Sequence, residues 1–381
     1  MFYLVIIIFL AVCVVVFDVK KQTEDRDVAY FVSFLLLVVM CSIRYRVGGD
    51  SLSYEDYYET MPDLSNYVDY LDYNPLKYQP LWLLLVAFCR SVTEEFYFFQ
   101  TIHAIIFNIS LFLFIRRYTQ HIFSVLLLLF LSLMYFYYGF EIQRETMALS
   151  VFLFNISNLE KNRWVRYYLL ATVSFLFHIS AIVLFFLPLV KKIKLSKILI
   201  AVLLFFSAVL FLFKGLIFSF LTPFLILEAM KDKAEIYSEI SFSLTGFIAF
   251  FGVRVIVLLP FLFYRISSKS PDFKWFDFMF LLVSILSQYF VGFERLLNYF
   301  YPVYLVLFIN FIYKEKISEM GFWFKKFVIM ATFIHVFFIL DYKLFTKNLA
   351  GHYYSLFYPY ETVFVPNTVQ EREDYYYNLL Q

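Results

Sequence analysis

The sequence predicts an all-α polytopic integral membrane protein with about ten transmembrane helices plus re-entrant or interfacial segments. Three observations carry that prediction. The 381 residues are 62% hydrophobic and 16% charged, where soluble domains sit near 45–50% and about 25%. Apolar runs of about 17–20 residues recur from end to end, each long enough to cross a hydrocarbon core ~30 Å thick, and the mean hydropathy is +0.74. Phe (53) and Tyr (32) are abundant, and Tyr near the ends of the runs is what an interfacial aromatic belt requires.

Composition also excludes other classes. A net charge of +2 implies no nucleic-acid partner. Cys13, Cys41 and Cys89 lie in or beside apolar runs without metal spacing or a disulfide framework. The first run lacks a basic flank and a small-residue cleavage site, so it reads as a retained helix. No repeat of 20–50 residues interrupts the chain. One transmembrane domain over 1–340 is expected, with an extracytoplasmic segment at 44–95, followed by a polar, Tyr-rich tail at 341–381.

Taken in order, the spans fall at about 2–17, 29–43, 96–115, 121–138, 146–159, 197–213, 245–264, 274–291, 298–312 and 324–340. The segment 44–78 is acidic and polar. The run from Pro80 to Cys89 is too short to span and reads as re-entrant or interfacial. The stretch 167–189 is apolar but basic on both flanks, and Ser174, His178 and Ser180 interrupt its centre. It is expected to be a re-entrant hairpin, a geometry allowed only where protein or a water-filled cavity surrounds the backbone. With both termini outside, the loops at 18–27, 116–120, 160–166, 191–197, 265–274 and 314–326 fall in the cytoplasm and hold 19 of the 32 Lys and Arg, as the positive-inside rule asks. Arg44, Arg46, Asp50, Glu141, Arg144, Glu145, Glu294 and Arg295 then gather on the extracytoplasmic face.

Five features could carry chemistry. Arg44-Tyr-Arg46-Val-Gly-Gly-Asp50 combines two arginines, able to grip a phosphate through paired donors, with glycines that let backbone approach a ligand. A helix cap and turn is the plainer reading. Glu141-Ile-Gln-Arg144-Glu145 opens a helix, where anions are favoured, or forms a local ion pair. His178 sits at the expected hairpin tip, as a functional imidazole or a packed one. Arg254 lies inside an apolar helix and must face a cavity, an acidic partner or a lipid head group, unless it snorkels to the interface. Glu294-Arg295-Leu-Leu-Asn-Tyr299 puts Arg295 and Tyr299 one helical turn apart, as site residues or interfacial anchors. No P-loop, dinucleotide fingerprint, zinc motif or nucleophile elbow is present. Neither a metal nor a cofactor is expected.

The order of these motifs resembles the EpsG family of polytopic proteins from bacterial capsule and exopolysaccharide clusters, similar in role to Wzy-type polymerases. The resemblance covers about residues 1–315. It rests on Arg-x-x-x-Gly-x-Asp-x-x-x-Tyr from Arg44 to Tyr54, Tyr78-Gln-Pro-Leu-Trp82, Ile142-Gln-Arg144-Glu145-x-x-Ala148, Phe175-Leu-Phe-His178-Ile-Ser-Ala181, and Glu294-Arg295 with Tyr299. Family members often carry Glu where Gln79 stands and Arg-Gln where Arg144-Glu145 stands. The resemblance implies a metal-independent membrane glycosyltransferase in the bacterial cytoplasmic (inner) membrane. It would polymerise polyprenyl-diphosphate-linked oligosaccharide repeat units, such as those on undecaprenyl diphosphate, into capsular, exopolysaccharide or O-antigen chains at the outer leaflet. Its partners would be the lipid-linked oligosaccharide, membrane lipid and other assembly proteins such as a chain-length regulator. Arg44, Arg46, Arg144, Arg254 and Arg295 would bind the diphosphate. Asp50, Glu145 and His178 would serve acid–base chemistry, and Tyr54, Glu294 and Tyr299 would contact sugar or lipid.

Two alternatives share the same residues. One is a single-transfer glycosyl- or acyltransferase acting on a surface glycan. The other is a flippase or transporter of lipid-linked sugars, for which internal repeats and charges spread through the membrane depth are the expected signs. The charges here gather on one face, which favours an enzyme.

Overall fold

The apolar runs fold as helices, and those helices are mostly shorter and more broken than the sequence alone suggests. The computed structural model describes residues 2–74, 76–221, 244–268, 273–290, 292–314, 321–345, 347–348 and 351–380. Among them, Phe2–Val19, Phe96–Tyr118, Thr245–Ser267 and Phe322–Ile339 are long and apolar enough to cross a membrane. A fifth span arises if Ile122–Leu131 and Met134–Glu141 count together, and these meet at an 82° bend. The bend follows Ser132, at Leu133, whose φ is +53°.

The expected ten spans are therefore not reproduced, for identifiable reasons. Arg26–Ser42 is apolar but stops at 17 residues. Gln143–Glu160 carries Gln143, Arg144, Glu145, Asn155 and Asn158. Lys197–Leu221 kinks at Phe213. Lys274–Leu286 has 13 residues and Tyr301–Ile312 has 12. Residues 222–243, and parts of the expected loops 265–274 and 314–326, lie outside the described residues.

The two exceptional segments are locally explicable. Pro80 occupies the first turn of a 13-residue helix, Pro80–Val92, where its missing N–H costs nothing. In the stretch 167–189, the helix Trp164–Phe177 stops at His178, which is extended at φ −156° and ψ 135°. A 3-10 turn, Ile179–Phe186, follows. The segment is thus broken at the polar residues that interrupt its apolar pattern.

The chain forms two compact units. The first comprises Met1–Phe185, Tyr304–Glu315 and Leu340–Gln381; the second comprises Phe186–Val303 and Lys316–Ile339. Within the first unit, one end of the helices is tied by polar contacts. Asp18 accepts hydrogen bonds from the Ser124 N–H and hydroxyl at 2.7 and 2.8 Å, Arg116 pairs with Asp27 at 3.2 Å, and Asn310 donates to the Tyr118 carbonyl at 3.0 Å. The opposite end holds the Arg44–Asp50 segment and the tail. Cys13, Cys41 and Cys89 are buried and form no disulfide.

The Tyr-rich tail is an integral part of the first unit. Its short ladder pairs Lys347 with His352 and Asn348 with Gly351, and it ends in the helix Gln370–Leu380. Tyr375 and Tyr376 are buried, as suits a side chain with an apolar body and a polar tip. Arg372 is fully buried and donates to the carbonyls of Ser355 at 3.0 Å, Arg46 at 2.6 Å and Pro359. One tail arginine thus fastens three backbone segments.

The tail begins at Asp341, whose carboxylate oxygens are both buried without a hydrogen bond among the described residues. Burial pushes its pKa up from 3.8 to about 7. A carboxyl with a raised folded-state pKa binds its proton more tightly when folded. The stability it contributes is full below the unfolded pKa and is lost as pH rises through the folded one. Wild-type melting temperature should therefore fall between pH 4 and 7 by more than that of Asp341→Asn, and the variant should melt higher at pH 8. Parallel melting curves across that range would contradict the assignment.

Candidate functional site

The polar residues of the first unit are assembled around the carboxylate of Glu141. Glu141 ends a π-helical turn, Tyr137–Glu141, and is 7% exposed. Its Oε1 accepts the Gly49 N–H at 2.5 Å and its Oε2 accepts the Asp50 N–H at 3.2 Å. These are unsatisfied donors at the start of the helix Gly49–Asp56, so the carboxylate caps that helix and meets the positive end of its dipole.

The two glycines make this approach possible. Gly48 has φ +102°, and a Cβ there would lie 2.8 Å from the Phe140 Cβ. A Cβ on Gly49 would lie 2.9 Å from Glu141 Oε2. The glycine pair therefore serves an internal contact between segments about 90 residues apart in sequence, and Glu141 reaches backbone rather than pairing with Arg144.

The two motif arginines are also engaged by protein. Arg44 is fully buried. It donates to the carbonyls of Cys41 and Val47 and to the Ser51 hydroxyl, the last at 3.2 Å, and stacks over Phe140 with 4.6 Å to the ring centre. Arg46 grips Glu373 of the tail through two bonds, Nε to Oε1 at 2.7 Å and Nη2 to Oε2 at 2.8 Å. It also reaches Asp56 at 3.1 Å and Glu55 at 3.6 Å. The Glu373 carboxylate holds the Arg46 guanidinium above its ordinary pKa, whereas burial raises that of Glu55 despite a hydrogen bond from Tyr97. The Arg46–Glu373 pair lines a groove of about 650 Å³ with Tyr45, Gln370, Asp374 and Tyr377.

Arg144 and Glu145 open the helix Gln143–Glu160 and point to different neighbours. The half-buried Arg144 donates from Nε to the Tyr54 hydroxyl at 3.2 Å and lies over the Tyr78 ring at 4.2 Å. Tyr54 in turn packs on Trp82 with ring centres 5.3 Å apart. Asp50 stands in the first turn of the helix that carries Tyr54. Glu145 is 2% exposed and faces His178, Oε2 to Nδ1 at 3.9 Å. The imidazole also contacts the Ser180 hydroxyl at 2.6 Å. Two groups thus start from adjacent residues of one helix: Arg144 with Tyr54, Tyr78 and Trp82, and Glu145 with His178 and Ser180.

The second unit contains its own charged pair. Arg254 lies in a π-helical turn, Gly252–Ile256, inside an apolar helix. Its Nη1 is 3.5 Å from Glu294 Oε2, and its guanidinium lies over Phe250 at 5.2 Å. The helix at Glu294 ends at Leu297 after four residues. Arg295 is consequently exposed while Tyr299 is fully buried, and the spacing expected to put them on one helical face does not.

Glu373 and Arg372, both central to the first unit, were not singled out by the sequence. Their signal, charged residues beside Tyr375-Tyr-Tyr377, is indistinguishable from an exposed polar tail until the partners are known. Among the described residues, no group of His, Cys, Asp and Glu has the arrangement of a metal site.

Long apolar helices with a polar cluster at one end define a multi-pass α-helical membrane protein. The family model described as EpsG family matches residues 27–362, and the chain belongs to that family. No curated protein and no solved structure matches the chain. Membership places the protein in polysaccharide biosynthesis at a membrane.

The close approach of Phe140 to Gly48 is testable. Gly48→Ala should cost about 1–3 kcal/mol through strain and overlap together. Gly292→Ala, at φ +88° with no atom within 4 Å of the new Cβ, should cost less because only strain remains. Thermal unfolding of both variants measures the difference, and equal losses would remove the contact from the account.

Proposed function

We propose that the protein joins polyprenyl-diphosphate-linked oligosaccharide repeat units into a longer chain at the outer leaflet, as a Wzy-type polymerase. One observation supports this reading most directly. Consecutive residues, Arg144 and Glu145, send a guanidinium toward the Tyr54 and Tyr78 rings and a buried carboxylate toward His178. Positive charge and a proton acceptor therefore issue from adjacent residues at the start of one helix.

The reaction needs both. The hydroxyl oxygen of one lipid-linked unit bonds to the anomeric carbon of the other chain. The bond from that carbon to the diphosphate oxygen breaks, and polyprenyl diphosphate leaves with the electron pair. His178 takes the hydroxyl proton, and the Glu145 carboxylate stabilises the imidazolium that results. Arg144 offsets negative charge as it develops on the diphosphate. Tyr78 and Asp50 orient the acceptor sugar, the ring by stacking and the carboxylate by accepting hydrogen bonds from hydroxyls, while the buried Tyr54 holds Arg144 in place. Arg46 reaches the diphosphate by exchanging its grip on Glu373, and Arg44 positions the loop from within. In the second unit, taken by itself, Arg254 and Arg295 are candidates for an anionic group and Glu294 for a sugar hydroxyl, whereas the fully buried Tyr299 packs.

The polar cluster and both termini face outward, while Lys20, Lys21, Arg26, Arg116 and Arg117 face the cytoplasm, in accord with the positive-inside rule.

The length distribution of lipid-linked glycan in the native host tests the proposal, with Arg144→Ala and His178→Ala compared with wild type at matched protein levels. Both variants should accumulate single repeat units on the outer face, with bond formation reduced roughly 10²–10³-fold, the scale for losing one transition-state donor. Long chains persisting in both would overturn the site. Single units confined to the cytoplasmic face would identify a transporter instead.

A further inference from the structure

The tail carries a tight turn whose tip has unusual chemistry. Thr362 and Val365 pair across it, and the Val365 N–H donates to the Thr362 carbonyl at 3.1 Å. The tip is Val363-Phe364. Turn tips in water favour Gly, Asn, Asp, Pro and Ser, whereas here Phe364 is 76% exposed and Val365 is 72% exposed. Tyr358, at the start of the same loop, is also exposed.

The loop is held rigidly at the end of two helices. The Val363 N–H donates to the Ile43 carbonyl and the Tyr45 N–H donates to the Glu361 carbonyl, each at 2.9 Å. The Tyr360 hydroxyl donates to the Met40 carbonyl at 2.6 Å. The Tyr360 ring stacks on Phe2 with centres 5.1 Å apart and 13° between planes, and meets Tyr3 at 5.3 Å. The turn thus sits level with the first residues of Phe2–Val19 and the last of Arg26–Ser42.

Both helices present unburied apolar stripes immediately beyond that level. On the first, Leu4, Val5, Ile8 and Val12 are exposed; on the second, Phe31, Leu35 and Val39 recur at four-residue spacing. Only 22% of the first helix is buried within the protein. The exposed turn tip lies beside these apolar stripes.

We propose that the turn Thr362–Val365 inserts Phe364 and Val365 into the acyl-headgroup boundary of the leaflet at the Phe2 end of the first helix. The occupant of this surface is lipid. Aromatic and aliphatic side chains at the boundary leave water while the backbone stays satisfied by the ladder bonds to residues 43–45. Because those bonds join the turn directly to Arg44 and Tyr45, insertion sets the depth of the whole Arg44–Asp50 segment against the membrane.

Spin labels on the full chain in phosphatidylcholine–phosphatidylglycerol nanodiscs test this. Cys13, Cys41 and Cys89 are buried, so labels are introduced separately through Phe364→Cys and Val365→Cys, with Glu59→Cys as an exposed reference in the polar segment. Collision with molecular oxygen should exceed collision with a water-soluble nickel complex at 364 and 365, giving a ratio several-fold above that at 59. Ratios equal to the reference would put the turn in water. Low collision with both reagents, accompanied by spin–spin broadening, would mean that a second copy of the chain covers it. Either result overturns the proposal.

Discussion

The grip of the Glu141 carboxylate on the Gly49 and Asp50 N–H groups is the contact on which the polar end of the first unit depends. A carboxylate removed from water needs compensating donors. Here two backbone amides and the start of a helix supply them. The requirement fixes glycine at 48 and 49, because no side chain fits between the segments. It fixes the course of the chain on either side: Arg44 and Arg46 emerge before the capped helix and Tyr54 along it. Arg144 and Glu145 follow Glu141 within one turn. Residues distant in sequence acquire a common position because one carboxylate joins the two loops.

Around that contact the tail acts as a second fastening. Arg372 satisfies three backbone carbonyls from within, and Glu373 immediately follows it to hold Arg46 from outside. Adjacent residues of opposite charge therefore bind the same loop in different ways, Arg372 through backbone carbonyls and Glu373 through the Arg46 guanidinium. The division matches the chemistry proposed for the protein, in which a fixed loop must still present positive charge to a diphosphate.

The helical membrane character was legible in the sequence because apolar runs and few charges leave no soluble alternative. Four expected spans, beginning near residues 2, 96, 245 and 324, correspond to long apolar helices. A fifth, near residue 121, is matched if the bent pair counts as one span, and the others are not reproduced as long single helices, because hydropathy does not register where a helix stops. Leu133 adopts a left-handed conformation, Phe213 kinks and the helix at Lys274 ends at Leu286, yet each lies in an apolar context. The break at His178 was legible, since Ser174, His178 and Ser180 disturb the pattern. Motif order named Arg144, Glu145 and His178 as candidates, and the structure sets Glu145 beside His178. The engagement of Arg44 and Arg46 by protein did not, because a buried guanidinium and a ligand-binding one have the same sequence signature. The partners Cys41, Ser51 and Glu373 emerge only from tertiary packing.

In the proposed reaction Arg144, Glu145 and His178 act together to break a carbon–oxygen bond to a diphosphate. The direct measurement is release of polyprenyl diphosphate by the purified protein in nanodiscs, supplied with a defined lipid-linked repeat unit. The account predicts one polyprenyl diphosphate released for every new glycosidic bond, with both products lost together in Glu145→Gln. Glycan elongation without diphosphate release, or undiminished release in that variant, would contradict it.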